Sequence, residues 1–281
     1  MKRSLRIKLM GVVNTTPDSF SDGGLYKEPP RAIDRAMQLA IQGADIIDIG
    51  AESSRPGADP VSAEEEMKRA IPVIMGVKEK APIKISIDTY KSEVAERAIE
   101  AGASMVNDIS AMTADPQMVK VVADSGVDVI LMHMLGTPRT MQVDPCYDDV
   151  LDEVCEYLSE RTKYAIENGV DKEKIYVDPG IGFGKRLVDN LTLLAGIKEI
   201  KKLGFPVVIG TSRKSFIEKI IGKKPPSERL LGSLGSFAWA AIEGADILRV
   251  HNISETYETI AVVEAIKEHS TLEREVNRDS I

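Results

Sequence analysis

Two stretches of this sequence decide the fold: Gly43-Ala44-Asp45-Ile46-Ile47-Asp48-Ile49-Gly50 and, near the other end of the chain, Gly244-Ala245-Asp246-Ile247-Leu248-Arg249-Val250-His251. In each, a glycine follows an amphipathic helical pattern, at the place where a left-handed residue ends a helix. A short, nearly continuous apolar run comes next, which is typical of a strand buried on both faces. Gly102-Ala103-Ser104 and Gly126-Val127-Asp128 open further copies. The repeated unit is therefore helix, glycine, strand, and it predicts a parallel sheet covered by helices.

Eight such strands are predicted along the chain, at residues 9–14, 46–50, 83–88, 105–109, 127–133, 175–178, 207–211 and 247–251. Helical patterns separate them, among them residues 31–42, 63–80, 92–101, 148–168 and 191–203. Eight strand–helix units in a chain of 281 residues fit an α/β fold of the closed (β/α)8 TIM-barrel type. No Pro/Ser-rich linker divides the chain, so a single domain over residues 1–281, with its core from about residue 6 to 268, is expected. An open, doubly wound sheet is the alternative fold.

The composition restricts the function. The chain has 36 basic and 44 acidic residues, a formal net charge of −8. That balance argues against a nucleic-acid partner, and an anionic substrate would need a local cluster of cations. Cys146 and Cys155 are too few for a disulfide framework, and their spacing does not suggest a zinc site. The basic N-terminus has no apolar segment behind it, and no apolar run is long enough for a membrane span. A cytoplasmic protein is expected.

Polar side chains stand at the end of every predicted strand. In a parallel barrel these ends meet at one mouth, where the active sites of this fold lie. Any one of the residues could be a helix cap or a turn residue. All eight strand ends together indicate a site, because burying so many polar groups unpaired is costly. The residues are Asn14, Glu52 to Arg55, Asp88, Asn107 and Asp108, His133, Asp178, Ser212 to Ser215, and Arg249 with His251 and Asn252.

The predicted mouth offers two kinds of chemistry. Asp88, Asn107 and Asp178 could pair with the 2-amino-4-oxo edge of a flat heterocycle such as a pterin or guanine. Arg55, Lys214 and Arg249 could hold a diphosphate or carboxylate, with His251 as a further candidate. For Lys214, a plain ion pair is the alternative.

Two more features complete the candidate chemistry. The neutral oxygen of Asn14 suits Mg2+, which binds mainly through water and substrate phosphates. Ser215 stands where a helix is predicted to begin, which suits a carboxylate. Residues 15–30 and 51–62 form long polar loops, which indicate lids or binding loops, with disordered surface insertions as the alternative.

Nine segments resemble the signatures of the dihydropteroate synthase family, in the right order and over about residues 9 to 268. Two departures are visible: Ser54 stands where the family commonly has Thr, and Ala51 where Gly is frequent. The matching segments are 14–24 (NTTPDSFSDGG), 48–58 (DIGAESSRPGA), 86–89 (SIDT), 106–110 (VNDIS), 131–134 (LMHM), 138–142 (PRTMQ), 178–185 (DPGIGFGK), 212–215 (SRKS) and 249–251 (RVH).

The resemblance implies an enzyme of folate biosynthesis, a (β/α)8 barrel and usually a homodimer, that joins 6-hydroxymethyl-7,8-dihydropterin diphosphate to 4-aminobenzoate. It implies Mg2+ as cofactor and a role for each matching residue. Asp88, Asn107, Asp178 and Lys214 would hold the pterin; Ser54, Arg55, Arg249 and His251 would bind the diphosphate. Asn14 would bind Mg2+, Ser215 would seat the aminobenzoate carboxylate, and Phe20 and Asp22 would close a loop over the substrates. Within this set, Lys214, Asp178, Arg249 and His251 are the expected catalytic residues.

Two other functions are compatible with a pterin-binding barrel. A pterin-dependent methyltransferase would not need the signatures at residues 14–21 and 212–215, which are both present. A pterin-binding regulatory homologue would be expected to have lost some of the named residues. The helical segment 230–241 is rich in small residues, which suits close packing either inside the barrel wall or between subunits.

Overall fold

The computed structural model describes residues 5–15, 29–55 and 57–278, with side chains up to residue 270. Phe20 and Asp22, predicted to close over the substrates, lie outside the described residues. Eight parallel strands form one sheet, and all eight predicted strands are confirmed. Their bounds are Lys8–Asn14 (β1), Ile46–Gly50 (β2), Lys84–Asp88 (β3), Met105–Asp108 (β4), Asp128–Met132 (β5), Ile175–Asp178 (β6), Val208–Ile209 (β7) and Ile247–Val250 (β8).

The sheet curls into a barrel in which sequence neighbours pair. The strand order is β6-β5-β4-β3-β2-β1-β8-β7, so β1 lies between β2 and β8. A parallel bridge between Val177 and Val207 joins β6 to the residue just before β7, which brings the two outer strands together. The barrel prediction is therefore confirmed, and the open doubly wound sheet is wrong.

Ten α-helices cover the described part of this barrel. Ser62 caps the second helix by accepting a hydrogen bond from the Glu65 amide, and Asp149 caps the fifth through the amides of Leu151 and Asp152. Among the described residues, no helix is both long and apolar enough to cross a membrane. The helices are Pro29–Gln42 (α1), Ala63–Lys80 (α2), Ser92–Ala101 (α3), Met118–Ser125 (α4), Val150–Glu167 (α5), Leu187–Ala195 (α6), Ile197–Lys201 (α7), Ser215–Ile221 (α8), Leu230–Glu243 (α9) and Ile253–Arg278 (α10).

One helix that was predicted to be continuous is interrupted in the structure. The pattern over residues 191–203 predicts a single helix, but the structure has α6 and α7, separated at Gly196. A Cβ added to Gly196 would lie 2.7 Å from the Leu151 side chain of α5. The close approach of α5 therefore requires glycine here, and the helix breaks at the residue that permits it.

The alternation of side chains along the strands places the site. An apolar layer plugs the interior at the N-terminal ends of the strands, formed by Met10, Ile46, Met105, Ile130, Val208 and Ile247. Alternate residues of a strand face the same side, so the residue two positions further on also points into the barrel. On β2, β4 and β8 those residues are Asp48, Asn107 and Arg249. The polar floor of the barrel mouth thus lies directly above its apolar plug.

Candidate active site

Two adjoining cavities open at the C-terminal ends of the strands, and the outer one has a volume of about 400 Å3. They bring together every described residue to which a binding or catalytic role was assigned, although these residues come from seven different strand ends. Their walls include Asn14, Ser54, Arg55, Asp88, Asn107, Asp178, Lys214, Ser215, Arg249 and His251.

Arg249 links two carboxylates on the floor of the inner cavity. Its Nε donates to Asp48 Oδ2 and its Nη2 donates to Asp88 Oδ2, both at 2.6 Å. Burial alone would lower the pKa of Arg249, but Asp48 and Asp88 raise it above its ordinary value. The guanidinium expected to meet a diphosphate is therefore already part of a buried, charge-assisted network.

Asp88 is the most perturbed carboxyl group of this network. Burial raises its pKa to about 7, Arg249 opposes the rise, and Asp48 and Glu66 add to it. A carboxyl group with this pKa exchanges a proton near neutral pH, so its acceptor capacity depends on the pH and on the surrounding charges.

Asp48 is a member of the site that the sequence analysis did not single out. Its side chain is fully buried, it also accepts a hydrogen bond from Asn107 Nδ2 at 3.3 Å, and its Oδ1 has no hydrogen-bond partner. The sequence carries a signal, since Asp48 interrupts an otherwise apolar strand and charged residues are rarely fully buried without a partner.

Asp178 and Lys214 form the opposite wall. Asp178 Oδ1 accepts a hydrogen bond of 2.7 Å from the Gly180 amide, and burial raises its pKa against the effects of that bond, Lys214 and Arg249. Burial and the Arg249 charge lower the pKa of Lys214 to about 8, while Asp178 and Asp88 act in the opposite direction. The Lys214 ammonium lies 3.9 Å from the centre of the Phe183 ring. This cation–π contact holds the ammonium against the loop that follows β6.

His251 differs from the neighbouring arginines in its charge state. Its Nδ1 lies 2.9 Å from Ser212 Oγ, and its backbone carbonyl accepts from Arg35 Nη2 at 2.8 Å. Burial, followed by the charges of Arg213, Arg249, Arg55 and Arg35, lowers its pKa to about 3. The imidazole is thus neutral at pH 7, and the positive potential at this end of the cavity comes from the arginines.

A buried lysine supports the loop that follows β6. Lys185 is 2% exposed, and its Nζ lies 2.9 Å from both His133 Nδ1 and the Phe183 carbonyl oxygen. Burial and Lys185 lower the pKa of His133 to about 3, so the ring is neutral and accepts the hydrogen bond. The loop packs closely against the end of β5. A Cβ on Gly180 would lie 1.9 Å from the His133 carbonyl oxygen, so only glycine fits at this position. From the sequence, His133 is predicted only as a strand-end residue, and Lys185 carries no predicted role.

The donor set at the mouth suits a weakly held cation. The described residues contain no group of three His, Cys, Asp or Glu that could hold a metal ion. Asn14 Oδ1 and Asp88 Oδ2 lie on opposite sides of Gly50, each 3.5 Å from where a Cβ on that glycine would be. One amide oxygen beside a cavity open to a phosphorylated ligand fits Mg2+, which keeps most of its waters.

Comparison with known proteins places this geometry in a family. Residues 10–251 match the model of the pterin binding enzymes. Dihydropteroate synthase of Synechocystis is 46% identical over 261 residues, covering 93% of this chain and 90% of that protein. The Escherichia coli enzyme is 45% identical over 257 residues, covering 92% and 90%.

Solved structures agree with these relatives. Dihydropteroate synthase of Xanthomonas albilineans with 4-aminobenzoic acid superimposes with a TM-score of 0.88 at 44% identity, over 93% of each chain. The same organism's enzyme in complex with 7,8-dihydropteroate gives 0.84 at 41% identity, over 93% of this chain and 94% of that one. The Yersinia pestis enzyme with a sulfonamide drug complex gives 0.91 at 37% identity, over 95% and 100%.

The carboxylate network generates a prediction about Asp88. Because the Asp48 charge helps to raise the pKa of Asp88, Asp48→Asn should lower that pKa from its value of about 7. An NMR titration of the Asp88 carboxyl carbon measures it directly. Ser86→Ala is the matched control, since Ser86 is buried beside Asp48 in the β2–β3 register and its hydroxyl has no partner. An Asp88 pKa that is unchanged or higher in Asp48→Asn would contradict the proposed coupling.

Proposed function

The chain belongs to the dihydropteroate synthase family of pterin-binding enzymes, and we propose that the residues at its barrel mouth divide the family's reaction among them. The enzyme condenses 6-hydroxymethyl-7,8-dihydropterin diphosphate with 4-aminobenzoate to give 7,8-dihydropteroate and diphosphate in folate biosynthesis. It is therefore a transferase that forms a C–N bond. The comparisons favour this reaction over methyl transfer or pterin binding without catalysis. One observation carries the division of roles: a hydrogen-bonding floor and an arginine-rich wall line two adjoining cavities at the same barrel mouth.

The floor suits the pterin ring. Asp88 and Asp178 offer carboxylate oxygens, Asn107 offers an amide, and the Lys214 ammonium can donate to a ring carbonyl or nitrogen. These four residues line the inner cavity together with Ile109 and Met132, which supply apolar contacts to the faces of a flat ring. We assign the pterin to this inner cavity because both its edge donors and its ring faces find partners there.

The wall next to it suits the diphosphate. Arg55, Arg249 and His251 line the outer cavity, and Ser54 contributes a hydroxyl at the border of both cavities. Arginine forks match phosphate oxygens in pairs. The low pKa of His251 makes it a neutral hydrogen-bonding ligand in the free enzyme, and a bound diphosphate would favour its protonation.

Ser215 is assigned to the carboxylate of 4-aminobenzoate. It begins α8 at the rim of the outer cavity, next to Lys214 and across from Phe183. The Phe183 ring offers a face for the aromatic ring of the acceptor, so that its amine would point inward toward the pterin methylene carbon. This places the acceptor above the pterin and leaves the diphosphate beside it.

The proposed reaction is a substitution at the pterin 6-methylene carbon. The C–O bond to the diphosphate breaks and its electron pair leaves with the diphosphate oxygen, where Arg249 and His251 stabilise the developing charge. The aminobenzoate nitrogen forms the new C–N bond and then loses a proton to the departing diphosphate or to water. Asp178 stabilises positive charge on the pterin, and Lys214 fixes the ring. Mg2+ bound through Asn14 would add charge stabilisation at the diphosphate. Because an aryl amine is neutral at pH 7, positioning matters more than a strong base.

Two substitutions separate the pterin and diphosphate roles. Asp88→Ala should abolish pterin binding in calorimetry, because it removes the floor carboxylate. Arg249→Ala should lower kcat for aminobenzoate-dependent diphosphate release roughly a hundred- to thousandfold, because charge on the leaving group loses a partner. Asp124→Ala, at an exposed position on α4, is the control and should leave both unchanged. Wild-type pterin affinity in the first variant or wild-type turnover in the second, with circular dichroism showing an intact fold, would refute the corresponding role.

The Mg2+ assignment has its own test. Asn14→Ala should raise the Mg2+ concentration needed for half-maximal diphosphate release, because the amide oxygen is lost while the waters and phosphates remain. Chelation of Mg2+ should reduce the wild-type rate. A wild-type Mg2+ requirement in Asn14→Ala would exclude this residue as the metal ligand.

We also propose a homodimer through the exposed face of α9 and α10. Leu231 and Trp239 on α9 are 81% and 47% exposed, and Val262 and Ile266 on α10 are 61% and 64% exposed. Lys267 donates to the carbonyl oxygens of Ala241 and Ile242, which joins the two helices into one apolar surface. Exposed apolar patches of this kind mark protein interfaces. Free thiols at Cys146 and Cys155 are consistent with the proposed cytoplasmic location.

The dimer proposal predicts a change of mass. Leu231→Glu should shift the protein from dimer to monomer in sedimentation equilibrium, because a charge would be buried at the contact. Ile41→Glu is the control, since Ile41 is 79% exposed on α1, outside the proposed surface. An unchanged dimer in Leu231→Glu, or a monomeric wild-type protein, would overturn the proposal.

A further inference from the structure

The loop after β2 carries Ser54 and Arg55 and has a defined shape. The Ala58 amide donates to the Arg55 carbonyl oxygen at 3.1 Å, which closes a turn, and the Gly57 amide donates to the Pro138 carbonyl oxygen at 3.1 Å. The loop tip is thus tied to the loop after β5. Compact surface loops whose ends lie close together are frequently functional.

One carboxylate closes the neck of this loop. Glu52 is the second residue after β2, and its Oε2 accepts a hydrogen bond of 3.0 Å from the amide of Val61, near the start of α2. Ser54 and Arg55 lie between these two residues. The Glu52 side chain is only 10% exposed, so this bond is shielded from water.

The same carboxylate is fixed from the side of β3. Its Oε1 accepts from the Tyr90 hydroxyl and its Oε2 accepts from Lys91 Nζ, both at 2.5 Å. Lys91 also donates to Glu66 Oε2 on α2 at 2.6 Å, and the Glu66 side chain is 1% exposed. The neck is therefore connected to α2 and to the loop that follows β3.

A second bond fixes the first residue of the loop. Arg69 on α2 donates from Nη1 to the Ala51 carbonyl oxygen at 3.2 Å, and its Nε bonds Glu65 at 2.8 Å. The start of the loop and the start of α2 are thus held together at two points. Of the side chains Glu52, Tyr90, Lys91, Glu66 and Arg69, only Glu52 belongs to the loop. It bonds the opposite end of the loop and also lines the outer cavity.

We propose that Glu52 is a positioning residue, which closes the neck of the loop and so holds Ser54 and Arg55 at the diphosphate end of the cavity. The inference rests on the proposed function of those two residues. The Glu52 carboxylate bonds Lys91 and Tyr90. It would therefore affect diphosphate binding indirectly, through the conformation of the loop. When only a fraction of the protein molecules hold the loop in its binding conformation, the apparent affinity for the diphosphate is reduced to that fraction of its full value.

Glu52→Gln tests this with little change of shape. All three groups at the carboxylate, the Val61 amide, the Tyr90 hydroxyl and Lys91 Nζ, donate hydrogen bonds. A carboxylate accepts from all of them, whereas the Gln amide nitrogen would face a donor. The substitution therefore opens the neck without creating a cavity. Glu64→Gln, an exposed change of the same charge on α2, is the matched control.

Calorimetry with two ligands reads out the loop separately from the pterin floor. Glu52→Gln should bind 6-hydroxymethyl-7,8-dihydropterin diphosphate roughly ten- to a hundredfold more weakly, as expected for loss of a buried charge-assisted bond. Its affinity for 6-hydroxymethyl-7,8-dihydropterin, which lacks the diphosphate, should stay at the wild-type value. Equal losses for both ligands would show a general structural role and overturn the inference.

A double-mutant cycle with Arg55→Ala distinguishes the possible failures. If Glu52 acts through Arg55, adding Glu52→Gln to Arg55→Ala should reduce the affinity for the pterin diphosphate much less than Glu52→Gln does in the wild-type background. Full additivity would overturn the positioning role. If Arg55→Ala alone leaves diphosphate affinity unchanged, the proposed function of Arg55 fails instead, and the inference with it. Should Glu52→Gln unfold, Tyr90→Phe, which removes one donor, should show a smaller loss confined to the diphosphate ligand.

Discussion

The buried guanidinium of Arg249 between Asp48 and Asp88 is the interaction on which the rest of the site depends. Two carboxylates this close together in a barrel interior repel each other unless a cation lies between them, and a buried cation in turn needs both. The arrangement raises the pKa of Asp88 to about 7 and keeps Arg249 charged. It also joins the pterin floor to the anion wall, so that a ligand at either one changes the electrostatics of the other.

The strand alternation explains why this network sits where it does. The apolar plug of Met10, Ile46 and Ile247 seals the lower barrel, and the next inward positions on β2 and β8 are Asp48 and Arg249. The apolar layer excludes water beneath the polar groups, which strengthens their electrostatic interactions, and their other side faces the cavity. The same strands thus supply an apolar layer that stabilises the barrel and, two residues further on, the polar groups of the site.

The sequence predicts the barrel, and it predicts all ten described candidates at the mouth, because strand ends and glycine-terminated helices are local patterns. It does not predict the partners of these residues, since Asp48 on β2 meets Arg249 on β8 across the intervening β1, and Lys185 meets His133 through a folded loop. The neck formed by Glu52 and Val61 is hidden for the same reason. The neutral state of His251 is hidden too, because its low pKa depends on burial and on four arginines from separate segments. The break at Gly196 depends on Leu151 of another helix.

The most direct test is a crystal structure of the enzyme with 6-hydroxymethyl-7,8-dihydropterin diphosphate bound in the absence of aminobenzoate. We expect the Arg249 guanidinium to keep its Nε bond to Asp48 and to contact the diphosphate, while Asp88 binds the edge of the pterin ring. A diphosphate seated away from Arg249, with that guanidinium still bridging Asp48 and Asp88 as in the free enzyme, would contradict it.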